Sequence, residues 1–190
     1  MFPNGVLGSA TVRAFNMAYF NKQRSKMVKS RVHIDPFFYP LDAVLHWNRM
    51  YGRRGFFQHQ CVVPFAQSLE PIEDVFRAVL KSRQGSFLAV LKVFGDRPSP
   101  GLLSFPQPGV TLALDFANRG KKTMELLSRL DEIALHHGGR TYPAKDMHMT
   151  PGHFKACYPE WRQMIPCLDP KFSSGFWRRV TDASNPRTET

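Results

Sequence analysis

Three short segments restrict the fold of this 190-residue chain most, because their side chains alternate between hydrogen-bonding and apolar types. Alternation with a period of two is typical of a β-strand that packs one face on a core. The first segment reads "GFFQHQCVVPF" and puts Gln58, Gln60 and Val62 on one face before it closes at Pro64. A strand with two glutamines on one face does not turn that face into an ordinary apolar core.

The second and third segments repeat this alternation. They read "SFLAVLKVFG" and "VTLALDFA", and a loop rich in proline and glycine joins them. A lysine on an otherwise apolar strand face needs a partner or a polar cavity, because an isolated buried ammonium is costly. The side chains predicted to share the more polar face of these two strands are Leu88, Val90, Lys92, Phe94, Thr111, Ala113 and Asp115.

Two amphipathic helices are predicted between and after the strands. "SLEPIEDVFRAVLKSRQG" has apolar residues at helical spacing, acids early and bases late, and a second helix spans about residues 121–137 and stops at Gly138. Before the first strand, an extended stretch from Asp35 and then a short helix from Leu41 that ends at Gly52 are expected. The pattern predicts an α+β fold, a mainly antiparallel sheet with helices on one face and a helical C-terminal segment.

The polar faces of the three strands are open to two interpretations. They form the floor of a cavity that suits a polyhydroxylated ligand, or they are the wet side of a half-buried sheet. The floor would consist of Gln58, Gln60, Lys92 and Thr111, with Asp115 as a further member and Phe94 as an apolar wall.

The formal net charge of +11 favours partners with phosphate groups or anionic surfaces. Six Lys or Arg residues precede the first acid, Asp35, and alternate with aromatic residues. This segment is either an arm that touches phosphates or lipid head groups, or a solvated linker. The N-terminus lacks the pattern of a secretory signal, and no apolar run is long enough for a membrane span. We therefore expect a cytoplasmic location, or one peripheral to the membrane, and no metal site.

Several segments, in a fixed order, carry a resemblance to a known family. They are "DPFFYPLDAVLHWNRMYGRRGFFQHQCVVP", "SFLAVLKVFG", "LLSFPQPG", "GGRTYPAKD", "TPGHFKACYPEW" and "LDPKFSSGFWRR". Together they closely resemble the C-terminal part of decaprenylphosphoryl-ribose 2-oxidases, and more broadly the sugar-lactone and alditol oxidases of the vanillyl-alcohol-oxidase flavoprotein superfamily. The resemblance covers nearly the whole chain.

The resemblance implies a substrate-binding cap domain over an FAD cofactor. It puts the lysine of "YPAKD", Lys145, beside the flavin ring and the oxidised carbon, and Tyr142 in the same loop. These two are the expected catalytic residues, and Lys145 is also the expected cofactor contact. Related aldonolactone oxidases carry a histidine near the place of Tyr142. The expected sugar-binding residues are Gln58, Gln60, Lys92, Phe94, Thr111 and Ala113.

A lysine at that position has a chemical purpose. When a sugar hydroxyl is oxidised, hydride leaves to the flavin, the hydroxyl proton must go elsewhere, and negative charge develops on the oxygen. A cation held there favours both changes. The structural alternative for Lys145 is a salt bridge with Asp146 or with a neighbouring chain.

The resemblance also implies a domain organisation. Residues 1–34 are expected as a basic arm, 35–140 as the cap domain, and 141–190 as a segment that completes the flavin site, packs on a flavin domain and frays from about residue 181. Family members are much longer, and their N-terminal half binds FAD. This chain alone is therefore expected to be incomplete, with a sugar or sugar-lipid phosphate as substrate and a separate flavin-domain chain as a hypothetical partner. The alternative is a non-catalytic remnant or a binding module for phosphate-bearing partners, with nucleic acid disfavoured.

Overall fold

A four-stranded antiparallel sheet forms the centre of the protein. The computed structural model describes residues 9–39, 42, 45–65, 69–86, 88–145, 148–169 and 171–181. The strands are β1 (Phe56–Val63), β2 (Ala89–Phe94), β3 (Gly109–Ala117) and β4 (Arg140–Thr141). Their order in the sheet is β2-β3-β1-β4. Three of the strands match the predicted segments, whereas the two-residue β4 is not apparent in the sequence pattern.

The pairing register brings the predicted polar residues onto one face of the sheet. Directly opposite residues of an antiparallel pair point to the same side. The paired positions are Gln58 with Asp115, Gln60 with Ala113, and Lys92 with Thr111. We call this side the front face, and its members are Gln58, Gln60, Lys92, Phe94, Thr111, Ala113 and Asp115.

Two helices, α3 (Glu70–Ser82) and α4 (Lys121–His136), cover the opposite face. Helix α3 begins with Pro71 in its first turn and has acidic residues there and Lys81 in its last turn, an arrangement that favours helix formation. The α+β prediction with helices on one face is confirmed. The buried core between the helices and the sheet consists of Val75, Leu112, Leu114, Phe116, Leu126, Leu127, Leu130 and Ile133.

The N-terminal segment differs from its prediction in two places, a helix within the expected basic arm and the conformation of the stretch from Asp35. It contains α1 (Ser9–Asn21), α2 (Ile34–Phe38) and a 3₁₀ helix, Trp47–Tyr51, that ends at Gly52 as expected. The extended stretch expected from Asp35 is wrong, because Pro36 lies in the first turn of α2, where a helix tolerates proline. The expected helix start at Leu41 lies outside the described residues.

The C-terminal segment is helical, as predicted. It consists of α5 (Pro151–Cys157), a 3₁₀ helix, Pro159–Cys167, and α6 (Gly175–Thr181). Residues 182–190, where a frayed tail is expected, lie outside the described residues. Packing of this segment on a flavin domain stays a prediction. The segment has its own buried cluster of Met149, Phe154, Cys157, Tyr158, Trp161 and Val180.

Two glycines allow the chain to turn directly from α4 into β4. Gly138 follows the helix with a φ of +69°, in the left-handed region that favours glycine. Gly139 donates its backbone N–H to the Ala134 oxygen at 2.7 Å. A Cβ at Gly139 would lie against the Val62 carbonyl oxygen, closer than van der Waals contact permits. The bare backbone at Gly139 is therefore what lets β4 reach the edge of β1.

We expect Gly139→Ala to lower the free energy of unfolding by more than about 1 kcal/mol, because the added methyl group forces backbone atoms apart. Urea denaturation of the purified chain measures the change. The matched control is Gly152→Ala in α5, where an added Cβ meets no atom within 4 Å. That variant should be neutral or slightly stabilising. Equal losses in the two variants would contradict the steric explanation.

Candidate functional site

Strand β4 brings the loop that carries Lys145 to the front face. It pairs with β1 through Thr141, opposite Cys61, and the Tyr142 N–H continues this pairing by donating to the Gln60 oxygen at 2.8 Å. The chain then turns through a 3₁₀ helix, Pro143–Lys145. The pairing with β1 therefore determines where the turn begins and where the lysine side chain lies.

Lys145 contacts the glutamine-bearing strand directly. Its Nζ atom donates a hydrogen bond to Gln58 Oε1 at 2.8 Å, although the two residues are 87 positions apart in the sequence. The side chain of Lys145 is partly buried. Asp146, the alternative salt-bridge partner, lies outside the described residues. The ammonium group is thus held beside the front face by an amide oxygen.

Gln58 also contacts Asp115, so that three polar side chains form a row. Gln58 Nε2 donates to Asp115 Oδ1 at 3.0 Å. Asp115 is only 2% exposed, and its Oδ2 atom has no hydrogen-bond partner among the described residues. Burial raises the pKa of Asp115 from its usual value, although the Gln58 hydrogen bond and the charge of Lys145 act in the opposite direction.

The second glutamine of β1 is fixed by a separate pair of hydrogen bonds. Gln60 Nε2 donates to Thr111 Oγ1 at 3.1 Å, and Thr111 Oγ1 donates to the Cys61 carbonyl oxygen at 2.9 Å. Thr111 is buried, whereas Gln60 and Ala113 are partly buried. The front face is therefore neither a dry core nor a freely solvated surface in this region.

An aromatic row borders the polar residues. Phe94 packs edge-on against Phe105 at 5.9 Å between ring centroids, and Phe105 stacks on Tyr142 at 4.6 Å. Phe105 is buried and was not predicted as a site residue. Its only signal in the sequence is an aromatic residue inside the proline-rich loop "LLSFPQPG". The row connects the predicted wall residue Phe94 with the loop residue Tyr142.

Lys92 lies at the solvent-exposed edge of the front face. It lies on the front face opposite Thr111, but its side chain is exposed. Of the two interpretations of the polar face, solvent exposure describes Lys92, because β2 is an edge strand and solvent reaches its side chains. Its role in sugar binding stays a prediction. The structure brings together Lys145, Gln58 and Asp115, and separately Gln60 and Thr111, while Lys92 makes no hydrogen bond or ion pair within the described part of the chain.

A second buried polar cluster lies on the helix side of the sheet. Asp131 of α4 accepts hydrogen bonds at Oδ1 from His59 at 2.9 Å and from Thr141 at 2.8 Å, and His148 Nε2 lies 3.3 Å from Asp131 Oδ2. His153 Nε2 lies 4.0 Å from Asp131 Oδ1. Thr141 precedes the Lys145 turn and both His148 and His153 follow it. The cluster therefore fixes the two ends of the segment that carries Lys145.

The imidazole groups control the ionisation of Asp131. Burial alone would raise the pKa of this carboxyl group, but the contacts with His148 and His59 and the charge of His153 outweigh it and lower the pKa well below the usual range. Within the described ranges, no group of His, Cys, Asp and Glu is placed to hold a metal ion. The cluster joins α4, β1, β4 and the start of the C-terminal segment through Asp131.

A groove of about 1070 Å³ lies between α3 and α4. Its walls carry mixed charges, including Arg77, Lys81, Glu125 and Arg129, and no front-face residue lines it. It is therefore separate from the row of Lys145, Gln58 and Asp115, where the polar and aromatic residues converge, and we place the candidate site at that row.

Comparison with known proteins gives two informative relatives. The chain is 35% identical over 185 residues to decaprenylphosphoryl-beta-D-ribose oxidase of Mycolicibacterium smegmatis, a match that covers 95% of this chain and 39% of that relative. It is also 35% identical over 117 residues to an uncharacterized protein in the mprA 5' region of Streptomyces coelicolor, covering 57% of this chain and 32% of that protein. No family model matches the chain.

The first relative supports the resemblance to an oxidoreductase family over nearly the whole chain. The chain spans 39% of the length of that relative, so the activity of the whole relative does not transfer to it directly. No helix in the described part of the chain is both long and apolar enough to cross a membrane.

We expect Asp131→Asn to lower the free energy of unfolding near neutral pH by about 3 kcal/mol, because the buried imidazoles lose their charged partner. A carboxyl group whose pKa is lowered by folding stabilises the fold above its unfolded pKa of about 3.9, and this contribution disappears as the pH falls below it. The difference between the two proteins should therefore narrow below about pH 4. Urea denaturation at a series of pH values measures both effects.

The control variant is Asp74→Asn. Asp74 also contacts a histidine, His137, at 3.1 Å, but this pair is only partly buried and Asp74 also accepts from the exposed Arg77, so a loss of about 1 kcal/mol is expected. A loss as large as that of Asp131→Asn, or a difference that does not change with pH, would contradict the assignment of Asp131 as the centre of the network.

Proposed function

We propose that this chain forms the sugar-binding part of an FAD-dependent oxidoreductase that oxidises a secondary hydroxyl group of a ribofuranosyl lipid phosphate or a related sugar or lactone. The observation that carries the proposal is the 2.8 Å hydrogen bond between Lys145 Nζ and Gln58 Oε1 at the edge of the front face. The similarity to decaprenylphosphoryl-beta-D-ribose oxidase supports the same reaction class.

The front face has the chemistry that a sugar requires. Gln58 and Gln60 offer amide groups, which can donate to or accept from sugar hydroxyls. Thr111 is buried and contributes by holding the Gln60 amide in place. Phe94 and Tyr142 are aromatic and supply flat apolar surface for the carbon atoms of a ring. Ala113 is small and leaves room between the polar groups of β1 and the exposed Lys92. The exposed ammonium of Lys92 suits a phosphate group at the edge of the site.

The residues present fit one edge of a flavin. When bound, FAD would accept the hydride that leaves the sugar carbon. Lys145 would contact it here, because an ammonium group stabilises negative charge that develops nearby during oxidation. The same ammonium group favours transfer of the hydroxyl proton to solvent water by stabilising the alkoxide oxygen that forms. Tyr142 borders this position through its place in the same turn and its stacking on Phe105.

The sharpest test combines this chain with the part of the Mycolicibacterium smegmatis relative that it does not match, which the proposal takes to bind FAD. A short-chain prenylphosphoryl-ribose should then bleach the flavin absorbance. Lys145→Met should lower the rate by about a hundredfold or more, the effect of removing one group that stabilises transition-state charge. Stopped-flow absorbance measures the rate.

The matched control is Lys121→Met, which removes an exposed lysine at the start of α4. It should leave the rate unchanged. Retention of full activity in Lys145→Met would contradict the role of Lys145. A complex that binds FAD but shows no flavin reduction with any sugar phosphate would contradict the proposed function itself.

We also propose that the basic N-terminal segment binds the anionic surface on which a lipid-linked substrate resides. All of its bases are exposed, among them Lys22, Arg24 and Lys26. Large apolar side chains, including Met17 and Phe20, are 62% and 81% exposed in the same segment. Bases next to exposed aromatic and aliphatic side chains are the combination that favours the interface of an anionic membrane.

The membrane contact predicts binding to phosphatidylglycerol vesicles and little binding to phosphatidylcholine vesicles. Replacing Lys22, Arg24 and Lys26 with glutamine should weaken vesicle binding roughly a hundredfold, at about 1 kcal/mol for each basic residue. Vesicle co-sedimentation measures the affinity.

The matched control replaces three bases of the helix groove, Arg77, Lys81 and Arg129, with glutamine. Equal losses of vesicle affinity in both triple variants would mean that the total charge of the protein determines binding and that the N-terminal segment has no special role. Stronger binding to a nucleic acid or heparin than to vesicles would instead support the alternative, a binding module for polyanions.

A further inference from the structure

Asp115 is a buried carboxyl group that the proposed reaction does not use directly. It is 2% exposed and lies directly opposite Gln58 in the pairing of β3 with β1. Its Oδ1 atom accepts from Gln58 Nε2, and its Oδ2 atom has no hydrogen-bond partner within the described ranges. Burying such a group disfavours folding compared with an apolar residue of similar size, so a position between Leu114 and Phe116 calls for a reason.

The order of hydrogen-bond donors and acceptors along the row of Lys145, Gln58 and Asp115 is fixed. The ammonium group of Lys145 can only donate hydrogen bonds, and an ionised carboxylate can only accept them. The Gln58 amide satisfies both only when its oxygen faces Lys145 and its nitrogen faces Asp115, as observed at 2.8 and 3.0 Å. Rotation of the amide by 180° would bring two donors together at Lys145 and two acceptors together at Asp115.

We propose that Asp115 is a positioning residue that holds the Gln58 amide with its oxygen toward Lys145 and thereby fixes the ammonium group at the reacting end of the site. The effect of Asp115 on catalysis rests on the proposed function, whereas its effect on the orientation of the Gln58 amide does not. Asp115 is too deeply buried to touch the substrate itself. It acts through Gln58, in the way that a buried partner orients a ligating or catalytic side chain.

The backbone of Asp115 is held as firmly as its side chain. Its N–H donates to Ser86 Oγ at 3.0 Å and contacts the Leu88 carbonyl oxygen at 3.2 Å, so the end of β3 is tied to the segment that leads into β2. The ring of Tyr51 stacks on Phe56 of β1 at 4.3 Å, and burial, followed by the negative charge of Asp115, raises the pKa of the Tyr51 phenol. The carboxyl group therefore has little freedom to move away from Gln58.

The first experiment uses the chain alone and reads the Gln58 side-chain amide by NMR. In Asp115→Leu the two Gln58 amide protons should move toward the shifts of a free glutamine amide and exchange with water at least about tenfold faster, because the acceptor that fixes the amide is gone. The Gln60 amide, which donates to Thr111, serves as the internal control and should not change. An unchanged Gln58 amide in a folded variant would overturn the proposal.

Exchanging the carboxyl and amide groups between positions 58 and 115 distinguishes a change in the row from a general loss of structure. Gln58→Glu alone places two carboxyl groups opposite each other. Asp115→Asn alone removes the group that can only accept, so the Gln58 amide is no longer held in one orientation. In the double variant, the carboxylate introduced at position 58 can accept from both Lys145 and the amide introduced at position 115, so the geometry around Lys145 should return. The NMR signals of the Lys145 side chain should be perturbed in each single variant and return toward wild type in the double variant. Failure of the double variant to restore them, with the sheet intact, would contradict the proposal.

The catalytic consequence is read in the reconstituted complex with the short-chain prenylphosphoryl-ribose. Asp115→Leu should lower kcat by roughly a hundredfold, the scale expected when a reacting group is misplaced by about 1 Å, and change KM less than about threefold. A rise of KM of similar size without a loss of kcat would assign Asp115 to sugar binding and contradict its role as a positioning residue. If the wild-type complex shows no flavin reduction, the proposed function fails while the NMR result still decides the role of Asp115.

Discussion

The pairing of β1 with neighbours on both sides is the constraint on which the site depends. On one side, β3 brings Asp115 and Thr111 opposite the glutamines. On the other side, β4 is only two residues long, yet it delivers the Lys145 turn to the same strand. Because backbone hydrogen bonds fix the register, the side chains on the front face meet without any flexible loop having to close over them. The chemistry proposed for the site is therefore built on the sheet itself.

Two polar networks hold the Lys145 turn from opposite sides of the sheet. The front-face row ends in a carboxyl group with a raised pKa, and the cluster behind the sheet ends in one with a lowered pKa. The difference follows from the partners, since Asp115 has an amide and a distant ammonium, whereas Asp131 is surrounded by imidazoles. Both groups are buried at some cost in stability, and both contact residues that determine where Lys145 lies. Specificity of position is the most direct explanation for keeping them.

Much of the fold around the sheet could be predicted from the sequence, because amphipathic strands and helices reveal their periodicity. Helix α1 was not predicted, because its segment was interpreted from its basic charge alone. The shared face of Gln58, Gln60 and Thr111 followed from alternation alone. The two residues of β4 are too few to show any period, and the cluster around Asp131 joins residues far apart in the chain, so neither could be found from local patterns. The contact between Lys145 and Gln58 was within reach only through the resemblance, because 87 residues separate them.

The alternation along β1 also determines how this protein can change over evolutionary time. Substitutions at Gln58 or Gln60 change the hydrogen-bonding groups on the front face while leaving the helix side, with His59 and Cys61, in place. An insertion or deletion of a single residue within the strand would have a different consequence. It would turn the amides into the hydrophobic interior and expose the imidazole and the thiol. Point substitutions can therefore change the polar groups that this strand presents, whereas a change in its length would disrupt the core.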